Sequence, residues 1–226
     1  MQDYISDWFI PIDFGNDMPD EEPSGDDNFN FDWSMEKKFI LTDKFVINSF
    51  GIKLFQIKCT KSFKYAQKGD FGGYVEKEGN LDQENDAWVF GNARVFGNAR
   101  VSGDAWVSGD ALVSGYAWVS GDARVFGNAR VSGDAWVSGN AWVSGDADIE
   151  NDNEHCGFDG FGSCNRHTHA YMTKEKKVEI ICGCFRGSIE EFEKKVEETH
   201  SGTVYEKQYK SIINVIKIKF GLTDFT

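Results

Sequence analysis

Ten consecutive six-residue units occupy residues 86–145 and constrain this chain more than any other feature of its sequence. The units follow the pattern D/N-A-W/R-V-S/F-G, and only Tyr116 departs from the Asp/Asn position. So short and regular a period predicts a solenoid, in which each repeat buries its apolar side only against its neighbours.

Each position of the unit has a physical role in a short strand that ends in a tight turn. The Val at the fourth place, for example Val95, is β-branched and suits a buried extended backbone. The Ala two positions earlier points to the same interior side, because side chains alternate along a strand. Gly followed by Asp or Asn tolerates left-handed backbone, so the chain can turn about every six residues.

Three units make one coil of 18 residues, so the outward residues at the third place fall into three columns. The first column holds Trp88, Trp106, Arg124 and Trp142; the second holds Arg94, Leu112, Arg130 and Asp148; the third holds Arg100, Trp118 and Trp136. Phe90 and Phe126 add aromatic surface beside the first column. We therefore expect the solenoid to present most of the tryptophans of the chain on its outside.

These units resemble the left-handed parallel β-helix of hexapeptide-repeat proteins. The segment GDFGGYVEKEGNLDQENDAWVF, at residues 69–90, is similar to the entry segment of bacterial and phage proteins of the YdcK type, for which acyltransferase activity has been suggested. The block at residues 162–200 is similar to a short tail domain in phage and prophage proteins. The resemblance covers roughly residues 45–221 and implies a left-handed coil, a trimer and a phage or prophage origin.

The expected fold class is mainly β: a left-handed parallel β-helix with a small α+β C-terminal domain and an acidic N-terminal extension. We divide the chain into four segments: 1–36, the acidic aromatic extension; 37–85, a β-hairpin cap and solenoid entry; 86–150, the β-helix; and 151–226, the tail domain. Within the tail we expect a loop over residues 151–165, then two short strands and two helices, although the second helical segment could also be a strand.

The net charge of −13 is carried mainly by the extension. Residues 1–36 hold eleven acidic residues and no Lys or Arg, which leaves residues 37–226 with a net charge of −2. Direct binding to nucleic acid is not expected, because it needs clustered basic residues. No apolar run is long enough for a membrane span, and the five cysteines do not suggest a secreted disulfide framework, so we expect a cytoplasmic protein.

Exposed tryptophan ladders usually mark an interaction surface. Self-association as a homotrimer is the first explanation, and burial by flanking segments is the second. A third is that Trp118 and Trp136, beside Arg100, stack on a flat or anionic ligand. In the extension, Trp8 and Phe9 are candidate contacts to a partner protein, although this segment could also be only a solubilising tail.

The chemistry of an acyltransferase needs a general base, and the solenoid contains no His. His155, just beyond the last coil, is therefore the catalytic candidate if the protein is an enzyme. A zinc site among His155, Cys156, Cys164, His167 and His169, with Cys182 and Cys184 nearby, is an open alternative, although the spacing lacks tight ligand pairs. No cofactor is predicted.

The predicted function is that of a non-enzymatic oligomeric scaffold that binds a host protein, and a phage accessory protein of this sort could act against a host defence system. Two alternatives remain open. One is the sequestration of a small anionic ligand, such as a nucleotide, in grooves between subunits, held by Arg94, Arg100, Arg124 or Arg130. The other is acyl transfer.

Overall fold

A β-hairpin precedes the repeat in the computed structural model, which describes residues 36–222. Its strands, β1 (Phe39–Ile47) and β2 (Lys53–Cys59), pair antiparallel. The side-chain oxygen of Asn48 accepts hydrogen bonds from two backbone N–H groups of the connecting turn. Strand β3 (Phe71–Val75) pairs antiparallel with β2 and passes directly into the solenoid.

The hexapeptide units form a run of two-residue strands, one in each unit. In chain order they are β4 (Trp88–Val89), β5 (Arg94–Val95), β6 (Arg100–Val101), β7 (Trp106–Val107), β8 (Leu112–Val113), β9 (Trp118–Val119), β10 (Arg124–Val125), β11 (Arg130–Val131), β12 (Trp136–Val137), β13 (Trp142–Val143) and β14 (Asp148–Ile149). Every third strand pairs in parallel, and residues 18 apart lie opposite one another.

The pairing gives the coil three faces. Face one contains β4, β7, β10 and β13; face three contains β6, β9 and β12. Face two contains β3, β5, β8, β11 and β14, and the hairpin continues its sheet. The prediction of a mainly β protein built on a repeat β-helix is therefore confirmed. The left hand of the coil continues to rest on the family resemblance.

The inside of the coil is filled by the Ala and Val of every unit, as the alternation predicts. Each of these side chains is at most 4% exposed. Phe39, Ile57 and Cys59 from the hairpin join the same core, so the hairpin closes the first coil. Burial of one Val contributes up to about 1.5–3 kcal/mol relative to an exposed position, so ten repeats supply a large apolar driving force.

The glycines at the corners satisfy two separate constraints. All ten from Gly91 to Gly145 have φ between +58° and +73°, a region that L side chains rarely adopt. Several also stack closely on the next coil. A Cβ built on Gly115 would lie 2.9 Å from the backbone nitrogen of Gly133, closer than side-chain carbons normally approach.

The tail domain is a four-stranded antiparallel sheet covered by two helices. Its elements are β15 (His155–Phe161), β16 (Arg166–Met172), β17 (Val178–Cys182), β18 (Phe185–Ser188), α1 (Ile189–His200) and α2 (Val204–Lys219). Alternate residues of the middle strands serve two cores. Ala170 and Ile180 pack under the helices, while Tyr171 and Ile181 join the core of the solenoid. One face of the sheet therefore closes the last coil.

Two features of the tail differ from the sequence-based expectation. Residues 151–165 were expected to form a loop, but they contain β15, and β18 was not expected at all. Both strands contain few apolar side chains. Pairing with β16 holds β15 extended, and pairing with β17 holds β18 extended. The segment 204–219 is a helix, N-capped by the side chain of Thr203.

Among the helices of residues 36–222, none is long and apolar enough to cross a membrane.

Candidate functional site

The first two tryptophans of the face-one column, Trp88 and Trp106, are covered by other parts of the chain. Trp88 is 1% exposed, because Phe39 and Phe63 meet its ring edge-on at centroid distances of 6.2 and 5.3 Å. Trp106 is half-buried under Tyr65 and stacks on Phe90 at 4.3 Å. Burial by flanking segments, the second explanation considered for the tryptophan columns, therefore applies to Trp88, and its ring is not open to a partner.

The last two residues of the face-one column, Arg124 and Trp142, stay accessible to solvent. Arg124 is exposed, and its guanidinium carbon lies 5.2 Å from the ring centre of Trp142. This distance is typical of a cation–π contact. Trp142 is 37% exposed, and the ring of Phe126 meets it edge-on at a centroid distance of 6.3 Å. An arginine engaged in this way has less freedom to reorganise around a ligand.

Face two carries a basic cavity of about 300 Å³. The columns derived from the sequence did not predict it, because it combines residues of the coil with residues of the hairpin and the tail. Arg94 and Arg130 line it together with Lys174 from the tail domain and the aromatic rings of Phe50 and Phe96. The remaining lining residues are Asn48, Ser49, Asp110, Leu112 and Asn128. Within residues 36–222 neither arginine forms a salt bridge, whereas Lys174 lies 3.5 Å from a carboxylate oxygen of Asp146.

Face three presents an open tryptophan pair. Trp118 and Trp136 are 42% and 51% exposed, and their rings stack at 5.4 Å with an interplanar angle of 8°. The indole N–H of Trp118 donates to the Ser102 hydroxyl at 2.8 Å, and that of Trp136 donates to Ser120 at 3.2 Å. Because each indole is anchored on the preceding coil, the pair is a preorganised flat surface.

Two further residues extend this open surface. Arg100 lies opposite Trp118 in the register of face three, is exposed and forms no salt bridge in the described part of the chain. Tyr116 lies two positions before Trp118 and is 71% exposed. The third column predicted from the sequence is therefore the one that the folded chain leaves most open.

Three histidines meet where the last coil packs on the tail sheet. His155 lies on β15, and His167 and His169 lie on β16 two residues apart, so they share a face. The Nδ1 of His155 lies 3.1 Å from the Nε2 of His169, and the Nδ1 of His169 lies 3.0 Å from the carbonyl oxygen of Trp142. The Nδ1 of His167 lies 2.8 Å from a carboxylate oxygen of Asp159.

Of the three histidines, His169 is fully buried, whereas His155 and His167 are half-buried. Burial lowers the pKa of His169 to about 3, so its ring is neutral at physiological pH. Burial also lowers the pKa of His155, against the opposing attraction of Asp152. A cavity of about 410 Å³ opens beside His167, with Trp142 and Arg166 among its lining residues. Among residues 36–222, no group of three or more His, Cys, Asp or Glu side chains is placed so that it could hold a metal ion.

The cysteines do not join the histidines. Cys156 points to the opposite side of β15 and packs on the helical core, where burial raises the pKa of its thiol to about 11. Cys182 accepts a hydrogen bond from Thr168 inside the same core. Cys164 and Cys184 are exposed. The mixed cysteine and histidine set considered from the sequence is thus divided between two sides of one sheet.

The residue proposed as a catalytic base, His155, lies in this internal cluster and not on an open face of the coil. Its side chain is 12% exposed, and its Nδ1 is engaged by His169. Acyl transfer stays a prediction. Trp8 and Phe9, the other candidate contacts, lie outside the described residues.

Sequence reasoning missed the partners that complete these sites. The two-residue spacing of His167 and His169 indicates a same-face pair only once both are known to lie on β16, and nothing local pointed to Asp159. Phe50 and Lys174 reach the face-two cavity from the hairpin and the tail, and no sequence period links them to Arg94 and Arg130.

Comparison with known protein families finds a match within the repeat. The model of the YdcK β-solenoid repeat matches residues 87–103, 93–109, 105–121 and 123–139. A search of curated proteins gives no match. The matched residues all lie within the coil described above, and the repeat matches together with its parallel strand pairing identify the chain as a repeat β-helix protein.

Proposed function

We propose that this protein is a non-enzymatic oligomeric binding protein whose solenoid acts as a rigid scaffold. Face three is the surface through which it assembles with further copies of itself, as a trimer. The acidic aromatic segment 1–36 supplies contacts to a partner protein. A phage or prophage origin, residence in the host cytoplasm and action against a host defence protein belong to this proposal on the strength of the resemblance alone.

The observation that carries the proposal is the open Trp118–Trp136 pair. The hairpin and the segment that follows it cover Trp88 and Trp106 on face one, and the hairpin also packs beside face two. On face three the indoles are held by hydrogen bonds to serines, so little side-chain entropy is lost on binding. Rigid, partly exposed aromatic side chains of this kind are typical anchors of protein interfaces.

The exposed area of the Trp118–Trp136 pair is only part of what a stable interface needs. At 42% and 51% exposure, and with ~250 Å² for a fully exposed tryptophan, the two rings offer roughly 200 Å². A stable interface buries about 800 Å² on each partner. The tryptophans therefore form the centre of a larger contact, and the surrounding polar positions of face three form its rim.

The test uses substitutions that the repeat itself tolerates. Arginine already occupies the equivalent position at Arg100 and Arg124, so Trp118→Arg with Trp136→Arg should fold. The matched control is Trp142→Arg, because Trp142 has similar exposure but lies on face one. Native mass spectrometry and light scattering at fixed protein concentration report the number of subunits.

We expect the parent chain and the Trp142→Arg control to be trimers and the face-three variant to be a monomer with unchanged circular dichroism. A monomeric parent chain, or a face-three variant that assembles as the parent does, contradicts self-assembly through this face. Deletion of residues 1–36 tests the second contact, since partner capture that survives the deletion removes that part of the proposal.

A second candidate function is the binding of a small anionic ligand, and the face-two cavity favours it. Arg94, Arg130 and Lys174 place three cationic groups around about 300 Å³, beside the rings of Phe50 and Phe96. Cationic groups pair with phosphates, while an aromatic ring can stack on a base. This arrangement lies within one chain, and it differs from the groove between subunits and the Trp platform expected from the sequence.

Calorimetry with nucleoside mono-, di- and triphosphates tests this candidate. Replacement of Arg94 and Arg130 by Gln should weaken binding by at least tenfold. The matched control replaces Arg100 and Arg124 by Gln, because these arginines belong to the same repeat position but lie on other faces. Equal binding by both variants, or no binding by the parent chain, excludes the face-two site.

A further inference from the structure

The cavity of about 410 Å³ beside His167 takes no part in the proposed assembly or in the face-two site. It lies where the last coil packs on the tail sheet: Asn140 and Trp142 belong to the coil, whereas Asp159 and Arg166 belong to the tail. Its lining combines one large aromatic ring with several polar side chains. This combination indicates which class of molecule the cavity fits.

One wall of the cavity is a carboxylate that the protein holds in place. The side-chain amide of Asn140 donates to Oδ1 of Asp159 at 3.3 Å, and Nδ1 of His167 lies 2.8 Å from the same atom. Oδ2 of Asp159 accepts no hydrogen bond from the residues that the structure describes, and the Asp159 side chain is 62% exposed. A carboxylate anchored through one oxygen offers the other to a ligand hydroxyl.

Asn165 and Arg166 line the same cavity from the start of β16. Both side chains are exposed, and within residues 36–222 neither forms a side-chain hydrogen bond or a salt bridge. Gly183 leaves room for the guanidinium, because a Cβ built there would lie 2.5 Å from Nη1 of Arg166. An amide both donates and accepts hydrogen bonds, while a guanidinium only donates. The cavity therefore offers donors and acceptors together.

The formal charges of the lining cancel when His167 is counted as neutral. Asp159 is negative, Arg166 is positive, and the other polar lining residues are amides. The face-two cavity differs, because three cationic groups there accompany a single carboxylate, Asp110. Anions pair with cationic groups and are repelled by a carboxylate. The balance at the coil–tail cavity therefore favours a neutral ligand with many hydroxyl groups.

Trp142 supplies the apolar side of the cavity. Its ring is 37% exposed, and Arg124 and Phe126 support it at centroid distances of 5.2 and 6.3 Å. The broad face of an indole binds apolar groups, while the hydrogen-bonding groups of a ligand stay at its edge. A sugar ring has this division, because carbon-bound hydrogens form an apolar patch on its face and hydroxyl groups surround it.

We propose that the coil–tail cavity binds a neutral saccharide. One sugar ring stacks on Trp142, and its hydroxyl groups form hydrogen bonds with Asp159, Arg166 and Asn165. Pockets for small molecules typically measure about 300–1,000 Å³. At about 410 Å³ this cavity lies at the small end of that range, which suits one sugar unit with the rest of a chain extending into solvent.

The experiment is a screen of the full chain on a printed array of mono- and oligosaccharides, followed by calorimetry with the strongest neutral ligand. We expect one binding site for each chain. Trp142→Arg, which places at this repeat position the residue found at Arg124, should lower affinity at least tenfold. The matched control is Trp136→Arg, on face three. It should bind as the parent chain does even if it alters assembly, because the cavity lies within one chain.

Two further measurements separate a saccharide site from an anion site and from misfolding. Asp159→Asn removes the charge and one acceptor and should also lower affinity at least tenfold, whereas an anion site would bind more tightly. Affinity should change less than about twofold between about 0.05 and 0.5 M NaCl, because salt screens charge pairs. The proposal is overturned if no neutral saccharide binds, if binding weakens steeply with salt, or if neither Trp142→Arg nor Asp159→Asn reduces it. Circular dichroism confirms that each variant is folded.

Discussion

The corner glycines allow the geometry of the coil to be tested with two closely matched substitutions. Gly115 and Gly139 have φ of +68° and +62°, so Ala at either position adopts left-handed backbone. Only Gly115 also approaches another coil: its Cβ would lie 2.9 Å from the nitrogen and 3.0 Å from the oxygen of Gly133, whereas a Cβ on Gly139 meets nothing within 4 Å.

The expected losses of stability follow from these contacts. Left-handed backbone costs an Ala about 1–2 kcal/mol, and the lower entropy of the unfolded chain returns about 0.4–1 kcal/mol. Gly139→Ala should therefore lose roughly 0.5–1 kcal/mol. Gly115→Ala adds an overlap whose relief costs about 1–3 kcal/mol, so its loss should be roughly 1.5–4 kcal/mol.

Urea unfolding followed by tryptophan fluorescence measures the difference, at one protein concentration because assembly affects apparent stability. With a slope of ~2 kcal/mol per M, the midpoint of Gly115→Ala should lie about 0.5–1.5 M below that of Gly139→Ala. Equal midpoints would show that the backbone angle alone selects glycine at the corners and that the approach of successive coils does not.

Three further substitutions test other parts of the fold. Lys38 is 4% exposed and donates a hydrogen bond to the carbonyl of Ala87. Burial lowers the pKa of its ammonium group from 10.5 to about 8. Between these two pH values the unfolded chain therefore binds one proton that the folded chain has lost. The unfolding free energy of the parent chain should then rise by about 2–3 kcal/mol relative to Lys38→Met between pH 7 and 10.5, in urea titrations at each pH. Tyr171→Phe removes the hydrogen bond of a fully buried hydroxyl to Glu179 at 2.5 Å and should cost about 1.5–3 kcal/mol by urea denaturation. Ser188→Ala removes the N-cap of α1 and should lower the free energy of unfolding, measured by thermal denaturation, by about 1 kcal/mol. Ser211→Ala, at an exposed position within α2, should change this free energy little.

The sequence determined the solenoid because every requirement of that fold repeats within six residues. Val and Ala at fixed positions fill the inside, and glycine at the corner supplies the turn, so each unit specifies its own backbone and the stacking of units follows. The capping box at Ser188 is equally local: Ser188 and Glu191 satisfy each other's backbone N–H groups, and α1 begins at the next residue, Ile189. In contrast, β15 escaped sequence reasoning because pairing with β16 holds it extended, and its own pattern is weak.

Only the tertiary structure decided which surfaces remain open and which side chains meet. Trp88 and Trp118 occupy the same position of the repeat, yet Phe39 and Phe63 cover the first and leave the second exposed. Likewise, His155 and His169 meet because two strands pair at the end of the coil. Such contacts join segments far apart in sequence. Their geometry depends on how whole elements pack, which no short repeat encodes.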